Sequence, residues 1–165
     1  YVYYKHMSRF ESQYELGKQS EIESLPYLNK LFKTTLKMNE DDFAPFDYYN
    51  DKIEVELKTR PKTRYIDGKL KHTTLKGNEI ELKSLYFDSN KMSSAFQYNK
   101  KNPNNKKDFF IVWKCKNKYL HWKINWDKQD YYLEDQFRDV GFGYNQHRDV
   151  INVKKEAIIP LYEFW

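Results

Sequence analysis

Asp47, preceded by Pro45 and Phe46, is followed after a short interval by Glu56-Leu57-Lys58. A hairpin turning at Asn50-Asp51 brings the Asp47 carboxylate beside that of Glu56. Two convergent carboxylates, with the backbone carbonyl of Leu57 between Glu56 and Lys58, make a hard oxygen site suited to Mg²⁺, with Mn²⁺ able to substitute. Lys58 lies on the same strand face as Glu56, about 7 Å further on at 3.3–3.4 Å per residue. From there it can orient or deprotonate the attacking water, or neutralise the charge that builds on a phosphorane. The chemistry such a set suits is phosphodiester hydrolysis, in which the metal lowers the pKa of water and stabilises the leaving oxygen.

The same letters occur twice. Asp67 precedes Glu81-Leu82-Lys83, with Glu79 two residues before. A Glu-x-Glu-x-Lys strand is also common as a plain solvated edge, so spacing alone does not separate a site from a surface. The first set is preferred because only it has a close upstream acid on a strand and a basic tail, Lys58-Thr59-Arg60.

The elements that must position these residues follow from periodicity. Residues 18–34 predict a helix, with Ile22, Leu25, Leu28, Leu31 and Phe32 at three-to-four spacing and Pro26 disturbing it. Residues 35–42 predict a loop, and Phe43–Tyr49 a short strand. In the next run Ile53, Val55 and Leu57 alternate with Glu54, Glu56 and Lys58, so the aliphatic side chains enter a core and the charged ones share the opposite face. Residues 59–78 form a basic excursion, with a hairpin at Asp67-Gly68. Residues 79–87 predict a strand, Lys91–Lys100 a short helix, Phe109–Trp113 and Tyr119–Trp126 two strands, and Ala157–Tyr162 a last one. The stretch between, to about Asp149, is polar and acidic. The whole predicts a mixed α/β domain with a largely antiparallel sheet.

Charge is modest in total, +5, and uneven in placement. Residues 58–76 carry seven basic groups against one acid, and residues 100–118 again seven against one, on an otherwise acidic chain. Two basic blocks of this kind are an electrostatic footprint for a polyanion, and equally the mark of solvated loops. Arg60, Lys62 and Arg64 in the first block, and Lys100 and Lys101 in the second, are the candidate backbone contacts. Aromatic residues reach 18% of the chain and supply bulk that the aliphatic residues do not. Cys115 is the only cysteine, so a disulfide within the chain and a Cys-based zinc site are both excluded. With no apolar run of membrane length, that composition leads to an expectation of a reducing intracellular setting and no membrane partner. The four histidines lack metal-ligand spacing, and no glycine-rich phosphate loop is present.

In this setting residues 17–125 resemble the PD-(D/E)xK nuclease superfamily, whose restriction-endonuclease-like core is a helix, a three-strand sheet, a helix and a further strand. Gly17 to Glu21 and the Leu-rich segment after them resemble the first helix. Pro45-Phe46-Asp47 resembles the first acid, with Phe46 inserted, and Val55-Glu56-Leu57-Lys58-Thr59-Arg60 the second acid and lysine. Lys91 and Gln97 fall on the helix after the next strand, and Phe109–Trp113 resembles the strand beyond it. The resemblance implies a Mg²⁺-dependent deoxyribonuclease: Asp47, Glu56 and the Leu57 carbonyl on the metal, Glu21 as an outer or second-metal carboxylate, Lys58 on the water or scissile phosphate, and Lys91 and Gln97 as accessory groups. DNA against RNA, endo- against exonucleolytic cutting, and oligomeric state, a homodimer included, stay open. So does a second class of function, a catalytically inactive nucleic-acid-binding or assembly module on the same fold. A third is a structural interaction protein using its aromatic surface.

Overall fold

The computed structural model describes the backbone of residues 9–141 and 144–161, and the side-chain surroundings of 14–136 and 148–161. Its main sheet has six strands in the order β1 (Lys37–Met38), β2 (Tyr48–Tyr49), β3 (Ile53–Arg60), β8 (Asp108–Cys115), β9 (Tyr119–Lys123), β12 (Ile159–Leu161). Between β3 and β8 the chain forms β4 (Thr63–Ile66), β5 (Lys69–Thr73), β6 (Glu79–Leu82), β7 (Ser84–Asp88) and the helix α2 (Asn90–Lys101). After β9 come the long strands β10 (Tyr131–Gly141) and β11 (Tyr144–Lys154). The helix α1 (Arg9–Phe32) precedes them all. Every ladder is antiparallel except β3 with β8, which run parallel from Ile53↔Asp108 to Arg60↔Cys115. The mixed α/β class and the mixed sheet are therefore as the sequence predicts.

The two faces of the sheet carry two separate cores. On one face Val55 and Leu57 of β3 and Val112 of β8 pack with Tyr48, Leu36 and Leu28 under α1. On the other, Phe109, Ile111, Trp113 and Cys115 of β8 pack with Phe46, Met92 and Ala95 of α2, and Leu85, Phe87, Ile151 and Val153 of β7 and β11. Alternation on β3 and β8 produces this division directly, because successive side chains leave opposite faces. The parallel register sets Glu54, Glu56, Lys58 and Arg60 beside Phe109, Ile111, Trp113 and Cys115. The charged face of β3 thus looks onto the second core and not onto open solvent.

Several expectations are corrected. The buried stripe of α1 is Ser20, Ser24 and Leu28, while Ile22 is exposed. Small hydroxyl side chains let the helix approach the sheet, and both are satisfied: Ser20 Oγ lies 2.7 Å from Thr59 Oγ1, and the Tyr119 hydroxyl donates to Ser24 Oγ at 3.2 Å. Pro26 stands inside the helix without ending it, on the exposed side with Ile22, to whose carbonyl it can donate no N–H. Only Tyr48–Tyr49 of the expected strand 43–49 is paired, and residues 37–38 of the expected loop form β1.

The 79–87 segment divides at Lys83: β6 stays with the basic hairpin, and β7 crosses to pair with β11. Its turn of direction comes where Lys155 N–H donates to the Lys83 carbonyl at 2.9 Å. The acidic stretch before Asp149 contains the β10–β11 ribbon. The predicted hairpin at Asp67-Gly68 is present, with both residues at positive φ, 51° and 76°, as a tight two-residue turn requires. Tyr162, the expected end of the last strand, lies outside the described residues.

Candidate active site

Asp47 sits on a bend immediately before β2. The β2–β3 ladder pairs Tyr49 with Glu54 and Tyr48 with Val55. Continued by one residue it sets Asp47 opposite Glu56, and opposed residues of an antiparallel pair project to the same face about 4.5–5.5 Å apart at Cβ. The turn that enforces this is built by Asn50, whose Oδ1 accepts the N–H groups of Lys52 and Ile53, each at 2.8 Å. From the other side Asn39 clamps the strand: its N–H donates to the Asp47 carbonyl and its Nδ2 to the Phe46 carbonyl, both at 2.8 Å. Phe46 is fully interior, its ring centroid 5.0 Å from that of Phe109. The residue inserted between Pro45 and Asp47 therefore serves as the anchor that fixes the aspartate.

Asp47 Oδ2 accepts the Leu57 N–H at 2.7 Å, so this carboxylate rests on the backbone of the ExK strand itself. Glu56 is 5% exposed. Lys58 Nζ lies 3.4 Å from its Oε1, and Lys91 Nζ, from the first turn of α2, 3.3 Å from its Oε2. Lys91 also donates to the Pro45 carbonyl and lies 5.9 Å from the centre of the Phe46 ring. Oε2 of Glu56 is buried and takes no well-directed hydrogen bond, so its tie to Lys91 is a charge contact that leaves a lone pair open.

Electrostatics inside the group are dominated by burial. Desolvation raises the Asp47 carboxyl to about 6, reinforced by the Glu21 charge, against the opposing Leu57 N–H and the two lysines. Desolvation likewise raises Glu56 to about 7, reinforced by Asp47. Two lysines therefore fail to offset burial plus mutual repulsion. A pair of acids held in this state gains most from a further cation.

Glu21 stands at the margin of the group. Its carbonyl accepts the Tyr48 hydroxyl at 2.6 Å, and its carboxylate is held by Lys18 at 3.4 Å, which also binds Asp42 at 3.1 Å. It acts on Asp47 through charge. Among the described residues no three His, Cys, Asp or Glu side chains gather closely enough to hold a metal by themselves. Gln97 is exposed and six residues along α2 from Lys91, about 9 Å further and on a different side of the helix. The structure does not bring it to the carboxylates.

The predicted backbone contacts are in mixed states. Arg60 stacks on Tyr86, 5.1 Å from guanidinium to ring centre, and Arg64 is bound to Glu79 at 2.8 Å. Lys62, Lys100 and Lys101 are exposed. The second ExK lies on the surface: Glu81 is tied to Lys71 at 3.9 Å and Lys155 at 3.4 Å, Lys83 is exposed, and Asp67 is exposed at the hairpin tip. His121 is a strand residue, a ring nitrogen 2.8 Å from the Ile159 carbonyl, with its pKa lowered by burial.

Sequence reasoning missed Asn39 and Lys107. Lys107 neutralises Glu54 at 3.2 Å beside the candidate site, and its only signal was membership of a basic block. No protein-family model matches the chain, no curated protein is similar to it, and no solved structure matches it.

Proposed function

We propose that this chain is a Mg²⁺-dependent nuclease that hydrolyses phosphodiester bonds in DNA, on a restriction-endonuclease-like fold. The observation that carries the reading is the meeting of Asp47, Glu56, Lys58 and Lys91 at one point, with both acids pushed above their ordinary range and a buried Glu56 oxygen left unbonded. The order of elements supports the fold: a helix, the acid-bearing hairpin, a second helix carrying Lys91, and a strand parallel to the ExK strand. The pairing of β7 with β11 departs from a single three-strand unit before α2.

The residues fit Mg²⁺, which is usually held by one or two carboxylates together with waters and substrate phosphates. Asp47, Glu56 and the Leu57 carbonyl would hold it, with Glu21 at greater range. When bound, the metal supplies a lowered water pKa and charge stabilisation on the scissile phosphate. The chain's own groups do the rest. The Leu57 N–H fixes one Asp47 oxygen, so the other is free to turn toward the ion. Lys58, on the open side of Glu56, meets the attacking water or the non-bridging phosphate oxygen. Lys91, held at Glu56 and the Pro45 carbonyl, would keep its ammonium beside the scissile phosphate.

A second reading has its own support: Glu56 is already flanked by two lysines, and its pair with Lys91 ties β3 to α2 without any ion. On that reading the chain is an inactive nucleic-acid-binding or assembly module. Incubation with supercoiled plasmid in Mg²⁺, in Mn²⁺ and in EDTA separates the two. Nicking or linearisation in either metal and none in EDTA is expected; intact plasmid throughout favours the inactive module.

A further inference from the structure

A cleft of about 490 Å³ lies between the outer half of α2, the loop before β8 and the segment after β9. Its wall is aromatic. Phe96 and Trp126 are 51% and 55% exposed, and their rings meet edge to face at 5.5 Å and 84°. Lys100 and Lys106 are exposed cations at its rim, and the lining Lys107 is paired with Glu54. Lys100 lies 6.0 Å from the Phe96 ring centre. The one acid of the lining, Asp108, is paired with Lys123 at 3.3 Å.

The cleft is built. Asn99 grips the Lys107 backbone twice, donating to its carbonyl at 3.0 Å and accepting its N–H at 2.8 Å, so the lysine-bearing loop is fixed against α2. Lys107 binds Glu54, which shares the inward face of β3 with Glu56 and lies two residues, about 7 Å, before it. Lys107, at one end of the cleft, is therefore one ion pair and two strand positions from Glu56.

We infer that this cleft takes an unpaired base of a single-stranded polynucleotide whose backbone runs on to the carboxylates. Flat aromatic faces with a positive rim complement a ligand that is a π-surface on a polyanion, and such stacking is tolerant of base identity. A duplex keeps its bases stacked inside and offers nothing to Phe96 or Trp126. The choice of a polynucleotide rests on the nuclease reading, whereas the cleft's role in binding does not require cutting.

The test is anisotropy of a labelled oligo-dT and of a duplex of equal length, both in EDTA, where cleavage does not enter. Trp126→Ala and Phe96→Ala each weaken the single strand about tenfold or more and leave the duplex nearly unchanged, while Trp126→Phe restores most of the loss. Both side chains are largely exposed, so circular dichroism of the variants matches wild type. Lys100→Ala and Lys106→Ala each reduce the salt slope by about 0.7. Unchanged single-strand affinity in Trp126→Ala overturns the proposal. So does competition by dTMP as strong as that of the oligonucleotide, which would mark a site for free nucleotides. Trp126-dependent binding by a protein that never cuts leaves this inference standing and removes only the nuclease reading.

Discussion

The Lys91 ammonium stands 3.3 Å from the Glu56 carboxylate and joins the first turn of α2 to the middle of β3. Two elements far apart in the chain are thus tied at the point where the acids meet. The tie is a charge contact to an acid that burial makes reluctant to ionise.

The first prediction concerns pH. Asp47 and Glu56 have folded-state values of about 6 and about 7, above the ordinary 4 or so of an unfolded chain. A raised carboxyl pKa means that the folded protein holds more protons than the unfolded one between roughly pH 4 and 7, so stability falls as pH rises through that window and is flat beyond it. Metal-free protein should show a melting temperature that declines over this range. Glu56→Gln should flatten the decline and melt several degrees higher at pH 8, for a gain of about 1–3 kcal/mol. Mg²⁺ should raise the wild-type melting temperature more at pH 8 than at pH 5.5. A lower melting point for Glu56→Gln at pH 8 would mean that the two lysines outweigh burial.

The second prediction separates the two ExK sets. Lys58→Ala should reduce plasmid cleavage at least about a hundredfold with little change in melting temperature, because its ammonium is partly exposed and paired with Glu56. Lys83→Ala and Glu81→Ala, on the exposed face of the hairpin sheet, should leave cleavage within about twofold. Initial rates on the same plasmid check both, and the reverse pattern assigns the chemistry to the wrong strand.

The third prediction tests the seat of α1. Ser20→Ala leaves the Thr59 hydroxyl without its 2.7 Å partner in a close helix–sheet contact. It should cost about 1 kcal/mol in urea unfolding, and Ser20→Ala with Thr59→Val together should recover part of that, since an unmatched buried hydroxyl is costlier than a matched apolar pair. Equal or additive losses would show that the two oxygens contribute independently.

The charged row of β3 was legible in the sequence because a period of two is a direct imprint of a strand, and so was the turn at Asn50. What alternation does not reveal is what covers the polar face. Glu56 reads like a solvated edge residue, and only the parallel partner β8, distant in the chain, places it beside Ile111. Ile22 misled for a related reason. Helical spacing identifies a stripe, but close approach of α1 to the sheet selected Ser20 and Ser24 for the buried side. The β10–β11 ribbon escaped because Leu133, Glu134 and Asp135 are all exposed, so no alternation marks it. The resemblance named both Lys91 and Gln97; the structure sets Lys91 against Glu56 and carries Gln97, six residues on, to another side of the helix.

The Asn50 turn sets an order of events in folding. Asp47 and Glu56 are brought together by a local hairpin, and such closures take microseconds. Lys91 and the parallel neighbour β8 arrive only through long-range pairing, which is slower because a long loop must close first. Two acids therefore face each other with Lys58 alone beside them, before Lys91 is in place. Folding of this chain meets its charge repulsion early, so mild acid or a divalent cation during refolding acts on the rate of assembly as well as on the finished protein.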